Sequence, residues 1–185
     1  MIEFKNVTFS YKKKIILENF NLKIDDGSRI CLFAPSGYGK TTVLRLIMGL
    51  EKIKIGEIKG IDKKLISTVF QEDRLLPAKT VLENVTLFGG EEKAAEILDS
   101  LGLSDSLKLY PKSLSGGMAR RTAIARALNR KADIYLFDEP FNGLDNDNIE
   151  NIAKTINQIT KGKTFILVTH DKNHAKLLNC EIVEI

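Results

Sequence analysis

A glycine, a lysine and two threonines in the stretch LFAPSGYGKTT (residues 32–42) have the types and order of a loop that cradles phosphate. In such a loop, backbone N–H groups and a helix N-terminus bind phosphate oxygens, a lysine contacts the β- and γ-phosphates, and a threonine hydroxyl holds Mg²⁺. Gly39, Lys40 and Thr41 match the end of the pattern, whereas Ala34 replaces its first glycine. The residues expected to bind nucleotide here are Ser36, Gly37, Tyr38, Gly39, Lys40, Thr41 and Thr42.

Ala34 decides whether this loop can form without strain. A positive φ would cost alanine about 1 kcal/mol, whereas a negative φ costs little. Because Pro35 disfavours the helical conformation of the residue before it, we expect Ala34 to be extended, with a negative φ. The alternative to a nucleotide site is an ordinary glycine-bearing turn between a strand and a helix.

Two acidic residues end a second apolar run, IYLFDEP, and a histidine follows a third, TFILVT. Asp138 at the tip of a strand can hold Mg²⁺, and Glu139 can orient and activate an attacking water. His170 can donate a hydrogen bond to a γ-phosphate oxygen. The alternatives are two solvated acids that cap a strand and an ordinary surface histidine.

Apolar runs and turn signals predict the elements that would bring these residues together. The predicted strands are residues 2–11, 15–24, 28–33, 65–70, 133–137 and 164–169, and the predicted helices follow the loop and cover residues 81–103, 118–130 and 149–159, before a short helix and a strand at the C-terminus. Three strands end at the residues of chemical interest. Because ligands of open parallel sheets lie beyond the carboxyl ends of the strands, the pattern indicates one α/β domain with its site at that edge.

Composition sets limits on the class of protein. With 185 residues, of which 43% are hydrophobic and 28% charged, the chain is typical of one globular domain. The net charge of +4 is scattered rather than gathered in blocks. The two cysteines lie in apolar segments, so we expect reduced thiols. No apolar stretch reaches the about 18 residues of a membrane span and no signal peptide is evident, so we expect a cytoplasmic chain that reaches a membrane only through a partner.

The segment SLSGGMARRTAIARAL (residues 113–128) lies between the phosphate loop and the acidic strand. Its LSGGM resembles the signature of the nucleotide-binding subunits of ATP-binding-cassette (ABC) transporters, a loop that opens a helix whose N-terminus faces phosphate. The order of phosphate loop, glutamine, signature, acidic strand and histidine resembles that family over nearly the whole chain. The resemblance implies an α/β P-loop NTPase fold with a RecA-like core and an antiparallel β lobe (residues 1–71 and 119–185) and a helical lobe (residues 72–118).

The resemblance also implies roles for residues outside the phosphate loop. Gln71 matches the glutamine that senses Mg²⁺ and the attacking water, Asp145 in NGLD matches the acid of the D-loop, and His170 matches the switch histidine. Tyr11 stands where the family places an aromatic ring that stacks on adenine; the alternative is a strand-end tyrosine without that contact. The signature residues that would contact the γ-phosphate held by a second subunit are Ser115, Gly116 and Gly117. The implied catalytic residues are Lys40, Gln71, Glu139 and His170, and the implied metal ligands are Thr41, Gln71 and Asp138.

Members of this family work as head-to-tail dimers that drive a separate membrane permease. The resemblance therefore implies a homodimer or heterodimer of ATPase subunits, ATP and Mg²⁺ as cofactors, and a position at the cytoplasmic face of the membrane through the permease. No nucleic acid is expected as a partner. The segment QEDRLLPAKTVLENV (residues 71–85) resembles importers of the nitrate, sulfonate and taurine group and related release and export systems, and it lies near the groove for the permease. Leu75 and Leu76 belong either to that surface or to the core.

Three positions depart from the family pattern: Ala34, Tyr38 in place of a small loop residue, and Asn142 in the D-loop. The Tyr38 ring must then point away from the phosphates, and every catalytic group is kept. The alternative functions are a soluble ABC-type ATPase in assembly or nucleic-acid work and a non-hydrolysing interaction subunit. No role is assigned to His174.

Overall fold

Eight strands, six helices and three 3₁₀ turns make up the part of the chain that the computed structural model describes, residues 1–35 and 37–185 without the side chains of residues 146 and 147. The strands are β1 (Ile2–Tyr11), β2 (Lys14–Ile24), β3 (Arg29–Phe33), β4 (Ile55–Lys59), β5 (Ile66–Val69), β6 (Ile134–Asp138), β7 (Thr164–Val168) and β8 (Glu181–Glu184). The helices are α1 (Lys40–Ile47), α2 (Val81–Val85), α3 (Glu91–Ser100), α4 (Gly116–Asn129), α5 (Asn146–Ile159) and α6 (Lys172–Leu177), and the 3₁₀ turns are Thr86–Phe88, Ser104–Ser106 and Pro111–Ser113. None of the helices in this described part is long and apolar enough to cross a membrane.

The strands form two sheets of different type. β1 pairs with β2 and β4 in an antiparallel sheet of order β2-β1-β4. The other five strands pair in parallel, in the order β5-β6-β7-β3-β8. Because β3, β6 and β7 are parallel neighbours, their carboxyl ends meet at one edge. The predicted α/β fold with an antiparallel lobe is confirmed.

Successive residues of the parallel sheet face two separate hydrophobic clusters. Phe137 and Phe165 belong to a cluster that includes buried residues of helices α2 to α6. Leu136 and Ile166, one position away, belong to a cluster formed with α1 and the β1–β2 pair. Strands buried on both faces need apolar residues at every position, which explains the continuous apolar runs in the sequence. Helix α1 therefore packs between the parallel sheet and the β1–β2 pair, and the loop between β3 and α1 leads into it.

The helix predicted over residues 81–103 is interrupted, and this corrects the sequence prediction. Gly89 and Gly90 separate α2 and its 3₁₀ turn from α3. The break packs closely on the end of α4, since a Cβ on Gly89 would lie 2.3 Å from the carbonyl oxygen of Asn129. The Asn129 amide also donates to the carbonyls of Val85 at 3.0 Å and Gly90 at 3.2 Å. A tertiary contact thus overrides the helical periodicity.

Strand β4 is the element that the sequence pattern does not predict. Four of its five residues are exposed, so it lacks an alternating apolar signal. It pairs with β1 alone, and Gly56 approaches β1 so closely that a Cβ would lie 2.5 Å from the carbonyl oxygen of Asn6.

Candidate active site

The carboxyl ends of β3, β6 and β7 open into a cleft of about 460 Å³, which β2 borders on one side. The residues that line it are Lys14, Ile16, Gly37, Gly39, Lys40, Thr41, Thr42, Gln71, Asp138, Glu139 and Val168. All but Lys14, Ile16 and Val168 were predicted for the site. The fold therefore brings the phosphate loop, the glutamine and the acidic strand end to one cleft.

Two glycines shape the loop between β3 and α1. Gly37 and Gly39 have φ values of 90° and 89°, which residues with a Cβ rarely adopt, and Gly39 is the N-cap of α1. A Cβ on Gly39 would lie 3.0 Å from side-chain carbons of Ile16 and Leu17, so the loop packs directly on β2. Helix α1 consequently begins at Lys40 with its first, unpaired N–H groups beside the cleft.

The departures within the loop are accommodated. Ala34 is buried and is not among the residues with a positive φ, which agrees with the prediction and means that the missing glycine costs little. Tyr38 is 60% exposed and does not line the cleft, so its ring points toward solvent. The prediction for Ser36 lies outside the described residues.

Lys40 and Thr41 connect the loop to its surroundings. The Lys40 ammonium donates to the carbonyls of Ala34 and, at 3.0 Å, Pro35. The Thr41 hydroxyl donates to Oδ2 of Asp138 at 2.9 Å and so joins α1 to the end of β6. Each of these three contacts involves a group that phosphate or a cation would also recognise.

Asp138 is only 5% exposed. Burial raises the pKa of its carboxyl above the usual range, and the hydrogen bond from Thr41 opposes that rise. A hydroxyl and a carboxylate oxygen 2.9 Å apart suit Mg²⁺, which binds through one or two protein oxygens and takes its other ligands from water and phosphate. Among the side chains that the structure describes, no group of three or more His, Cys, Asp or Glu could hold a metal ion.

Glu139 is held at the end of β6 by its backbone and by both carboxylate oxygens. Its φ is 47°, and its N–H donates to the carbonyl of Val168 at 2.9 Å. The Thr169 hydroxyl donates to Oε2 at 3.1 Å, and Nδ1 of His170 lies 2.9 Å from Oε1. A carboxylate fixed in this way beside the phosphate loop can accept a proton from a water in the cleft.

His170 pairs with Glu139 from outside the cleft. Its side chain is 69% exposed, and it does not line the cleft. The hydrogen bond to Glu139, together with the charge of that carboxylate, raises the pKa of the His170 ring above its usual value. Since Nδ1 faces Glu139, Nε2 is the ring nitrogen left to meet a phosphate oxygen.

Gln71 and Tyr11 differ in their relation to the cleft. Gln71 is exposed and lines both the cleft and a second groove beside it. Tyr11 is 39% exposed and does not line the cleft. Its hydroxyl donates to Glu51 at 3.0 Å, and Arg45 pairs with the same carboxylate. Burial first and Glu51 second raise the pKa of the Tyr11 hydroxyl.

The signature lies apart from the cleft of its own chain. Ser115 is the N-cap of α4 and accepts a hydrogen bond from the N–H of Met118 at 3.2 Å. Gly117 lies beside the D-loop, where a Cβ would be 3.7 Å from the carbonyl oxygen of Gly143. The predicted residues that do not line the cleft also include Gly116 and Asp145. The signature and the D-loop acid therefore contribute no side chain to the cleft of their own chain.

Some residues of the site fall outside the sequence prediction. Lys14 and Ile16 line the cleft from β2, although nothing in a strand sequence marks them for it. The fully buried Thr169 connects Glu139 to His174, whose Nδ1 lies 3.3 Å from the Thr169 hydroxyl. His174, to which no role was assigned, is therefore part of the surroundings of Glu139.

Arg120 in α4 is also absent from the prediction, yet it donates to the carbonyls of Asp138 and Glu139. Helical spacing is the signal that could have found it. Arg120 shares the helix face of Ile124 and Ala127, both of which are buried. A charge on an apolar face predicts a buried hydrogen-bonding role.

Known proteins resemble this chain over nearly all its length. The family described as ABC transporter matches residues 17–142. The probable ABC transporter ATP-binding protein PEB1C of Campylobacter jejuni is 36% identical over 200 residues, covering 95% of this chain and 83% of that protein. The ergothioneine transport ATP-binding protein EgtV of Helicobacter pylori is 34% identical over 206 residues, covering 100% and 97%. The glutamine transport ATP-binding protein GlnQ of Escherichia coli is 36% identical over 208 residues, covering 99% and 86%.

Solved structures agree with this relationship. MJ0796, described as a bacterial ABC transporter cassette with a dimeric structure, superposes with a TM-score of 0.87 at 34% identity, covering 100% of this chain and 94% of that one. The same cassette has a dimeric structure in a post-hydrolysis state bound to ADP and Pi, with a TM-score of 0.87. With this similarity over its full length, the chain belongs to the ABC transporter family, as the subunit that binds and hydrolyses ATP to power transport.

Proposed function

We propose that the chain binds ATP with Mg²⁺ in the cleft at the carboxyl ends of β3, β6 and β7, and hydrolyses it there as half of a dimer attached to a separate permease. One observation carries the proposal: a single cleft collects a cation, a hydroxyl, a glutamine and two carboxylates. These groups are Lys40, Thr41, Gln71, Asp138 and Glu139.

The phosphate loop would hold the triphosphate. The N–H groups around Gly39 and the start of α1 would donate to phosphate oxygens, joined by the side chain of Thr42. Lys40 would exchange its two loop carbonyls for the β- and γ-phosphates. Thr41 and Asp138, with Gln71 nearby, would hold Mg²⁺, which when bound supplies charge neutralisation to the phosphates.

Glu139 is the proposed general base. Its carboxylate accepts a proton from water while the water oxygen forms a bond to the γ-phosphorus. The bond between that phosphorus and the β–γ bridging oxygen breaks, and its electron pair stays with ADP, so the products are ADP and inorganic phosphate. Gln71 would orient the water, and Nε2 of His170 would donate a hydrogen bond to the γ-phosphate.

A second ATPase subunit would complete the site. The signature and the D-loop acid do not line the cleft of their own chain, and the similar cassette MJ0796 has a dimeric structure. We therefore assign them to nucleotide held by a partner, either a second copy or a similar ATPase subunit; these residues are Ser115, Gly116, Gly117 and Asp145. Tyr11 is proposed to stack on adenine. Residues 72–118 are proposed as a helical lobe distinct from the core.

A groove of about 710 Å³ beside the cleft is the surface proposed for the permease. It lies between α1 and the segment after β5, and its lining includes Leu50, which is 55% exposed, Phe70 and the arginines Arg45 and Arg74. Glu72 and Asp138 also line the groove, so this mixture suits a short helix that carries apolar side chains together with charged ones of either sign. Gln71 lines both groove and cleft, so an occupant of the groove would touch a residue of the hydrolysis site.

The two leucines considered for that surface differ in exposure. Leu76 is 42% exposed and Leu75 is half-buried, and neither lines the groove. Leu76 is thus exposed and available to a permease rather than part of the core. Docking here would keep the chain at the cytoplasmic face of the membrane.

The cargo subgroup remains a proposal from residues 71–85. Those residues resemble importers of nitrate, sulfonate and taurine, whereas the relatives above are named for ergothioneine and glutamine transport. Uptake of labelled taurine by cells that express the chain with its permease would support the subgroup. Uptake of glutamine instead would contradict it.

Glu139→Gln tests the proposed site. The variant should bind ATP but hydrolyse it only at a small residual rate, so gel filtration with ATP should show a dimer and with ADP a monomer. Glu96→Gln, which changes an exposed glutamate of α3, is the matched control and should hydrolyse ATP like the wild type. If the Glu139 variant hydrolysed ATP at the wild-type rate, or stayed monomeric with ATP, the assignment of the base would be wrong.

A further inference from the structure

Arg120 is a charged side chain buried in the first turns of α4, with an exposure of only 3%. A buried guanidinium without partners is strongly destabilising, so its hydrogen bonds decide whether it is tolerated. Its planar fork of five N–H donors can serve several acceptors at once. The positions of those acceptors therefore indicate what Arg120 holds in place.

The first group of acceptors is the backbone at the end of β6. Nη2 donates to the carbonyl of Asp138 at 3.0 Å and to that of Glu139, and Nε donates to the carbonyl of Pro140 at 2.9 Å. Three consecutive carbonyls thus face one side chain. They belong to the segment that carries both carboxylates of the cleft.

The second group of acceptors follows β5. Nη1 donates to the carbonyls of Phe70 at 2.6 Å and Gln71 at 3.3 Å, and to the carboxylate of Asp73 at 3.1 Å. Gln71 lines the same cleft. One guanidinium therefore joins the two segments that supply the proposed base and the proposed water-orienting glutamine.

The backbone of Glu139 explains why such support is needed. Its φ of 47° lies in the left-handed region, which is unfavourable for a residue with a Cβ and persists where surrounding contacts hold it. Arg120 binds the carbonyls on both sides of that φ, and Val168 accepts from the Glu139 N–H. These contacts fix the direction in which the carboxylate leaves the strand.

We propose that Arg120 is a positioning residue for ATP hydrolysis, which holds Glu139 and Gln71 in one arrangement and ties both to the signature helix. The inference rests on the proposed role of Glu139. Arg120 does not line the cleft and acts only through the segments that it binds. Because Ser115, the N-cap of α4, precedes Arg120 by less than two turns, a shift of the signature would move the guanidinium and the loops together.

Arg120→Lys is the first test, because lysine keeps the charge but loses the fork. Steady-state hydrolysis of Mg²⁺–ATP by the full chain gives kcat and KM, and a fluorescent ATP analogue gives Kd. We expect kcat to fall by about tenfold or more while Kd changes by less than about threefold, as for loss of charge-assisted hydrogen bonds that act in the transition state. An unchanged kcat in the folded variant would overturn the proposal.

Arg29→Lys is the matched control. Arg29 donates to Leu178, Thr160 and Asn157 at 2.8–2.9 Å, but it lies at the amino end of β3, opposite the cleft. It should lower the melting temperature and leave kcat within about threefold of the wild type. A similar loss of kcat in both variants would mean that Arg120 has only a general structural role.

The Glu139→Gln background separates positioning from structural damage. If Arg120 acts through Glu139, adding Arg120→Lys to Glu139→Gln should reduce the residual rate by less than about twofold, whereas independent effects would multiply. Multiplying effects would overturn the proposal. If Glu139→Gln alone hydrolysed ATP at the wild-type rate, Glu139 would not be the general base. If Glu139→Gln kept only its residual rate while Arg120→Lys was fully active, only the role of Arg120 would be excluded.

Asp73→Ala covers the case in which Arg120→Lys does not fold. Asp73 is 29% exposed, and its loss leaves the carbonyl contacts of Arg120 in place while removing the carboxylate that orients the guanidinium from the Gln71 side. We expect kcat to fall by about threefold or more with Kd unchanged. Wild-type kcat in this folded variant would contradict the role of Arg120.

Discussion

Replacing Thr169 with valine tests how the Glu139 carboxylate is held, because valine keeps the shape of threonine and loses its hydroxyl. Thr169 is 0% exposed. Its hydroxyl donates to Glu139 at 3.1 Å, lies 3.3 Å from Nδ1 of His174, and accepts from the N–H of Asp171 at 3.2 Å. The substitution therefore removes three contacts, and each of the partners that lose their contact is partly buried.

The expected magnitudes follow from those contacts. A hydrogen bond contributes about 0.5–1.5 kcal/mol net, so the loss of these partly buried contacts should lower the free energy of unfolding of Thr169→Val by about 1–3 kcal/mol. The net value of the single bond to Glu139 is about 0.5–1.5 kcal/mol. If losing this bond raises the activation free energy of ATP hydrolysis by the same amount, kcat falls by up to about tenfold. The Kd for ATP should not change, because Thr169 does not line the cleft.

The assay is steady-state ATP hydrolysis by the full chain, with urea unfolding measured in parallel. Thr160→Val is the matched control, since Thr160 is also 0% exposed, accepts from Arg29 at 2.8 Å and donates to the carbonyl of Ile156 at 2.7 Å. It lies before the amino end of β7, away from the cleft, and should lose stability but keep kcat. Wild-type kcat in folded Thr169→Val would refute the view that this hydroxyl positions the carboxylate.

Other parts of the site give simpler expectations. Lys40→Ala should abolish nucleotide binding in a fluorescent-nucleotide titration, since it removes the ammonium beside the loop; undiminished binding would exclude the loop as the site. Ala34→Gly should change the Kd for ATP in calorimetry by less than about tenfold, or 1.4 kcal/mol, because Ala34 does not have a positive φ; a larger gain would mean that the loop is strained. Because Glu139 raises the pKa of His170, the pair should stabilise the fold fully below the ordinary pKa of about 6.5 and lose this effect as pH rises through the raised value. NMR titration should show the His170 pKa falling toward its ordinary value in Glu139→Gln, and an unchanged titration would contradict the pairing.

The sequence predicts the parallel sheet well because strands that are buried on both faces appear as continuous apolar runs. β6 and β7 consist almost wholly of apolar residues, so their ends, and with them Asp138 and His170, could be predicted. Strand β4 and the helix break at Gly89 have no comparable pattern in the sequence. β4 is mostly exposed, and the position of the break depends on a contact with Asn129 that lies 40 residues further along the chain.

The candidate site follows the same division. Groups that would touch nucleotide occur in short motifs, so Lys40 and Glu139 could be predicted from neighbouring residues. Arg120 and Thr169 act through acceptors that are distant in sequence, such as Phe70 for Arg120 and Glu139 for Thr169. The helical spacing of Arg120 with Ile124 and Ala127 indicates a buried arginine, but only the folded chain shows which acceptors it binds.

The bonds from the Lys40 ammonium to the Ala34 and Pro35 carbonyls bear on any affinity that is measured for this loop. An incoming phosphate competes with two oxygen acceptors that already share the same protons. The observed Kd is therefore the balance of an exchange between partners, and it understates the intrinsic strength of the lysine–phosphate contact. If these two carbonyls pointed away from Lys40, the same loop would bind the same ligand with a lower Kd, although it would make no additional contact to the ligand.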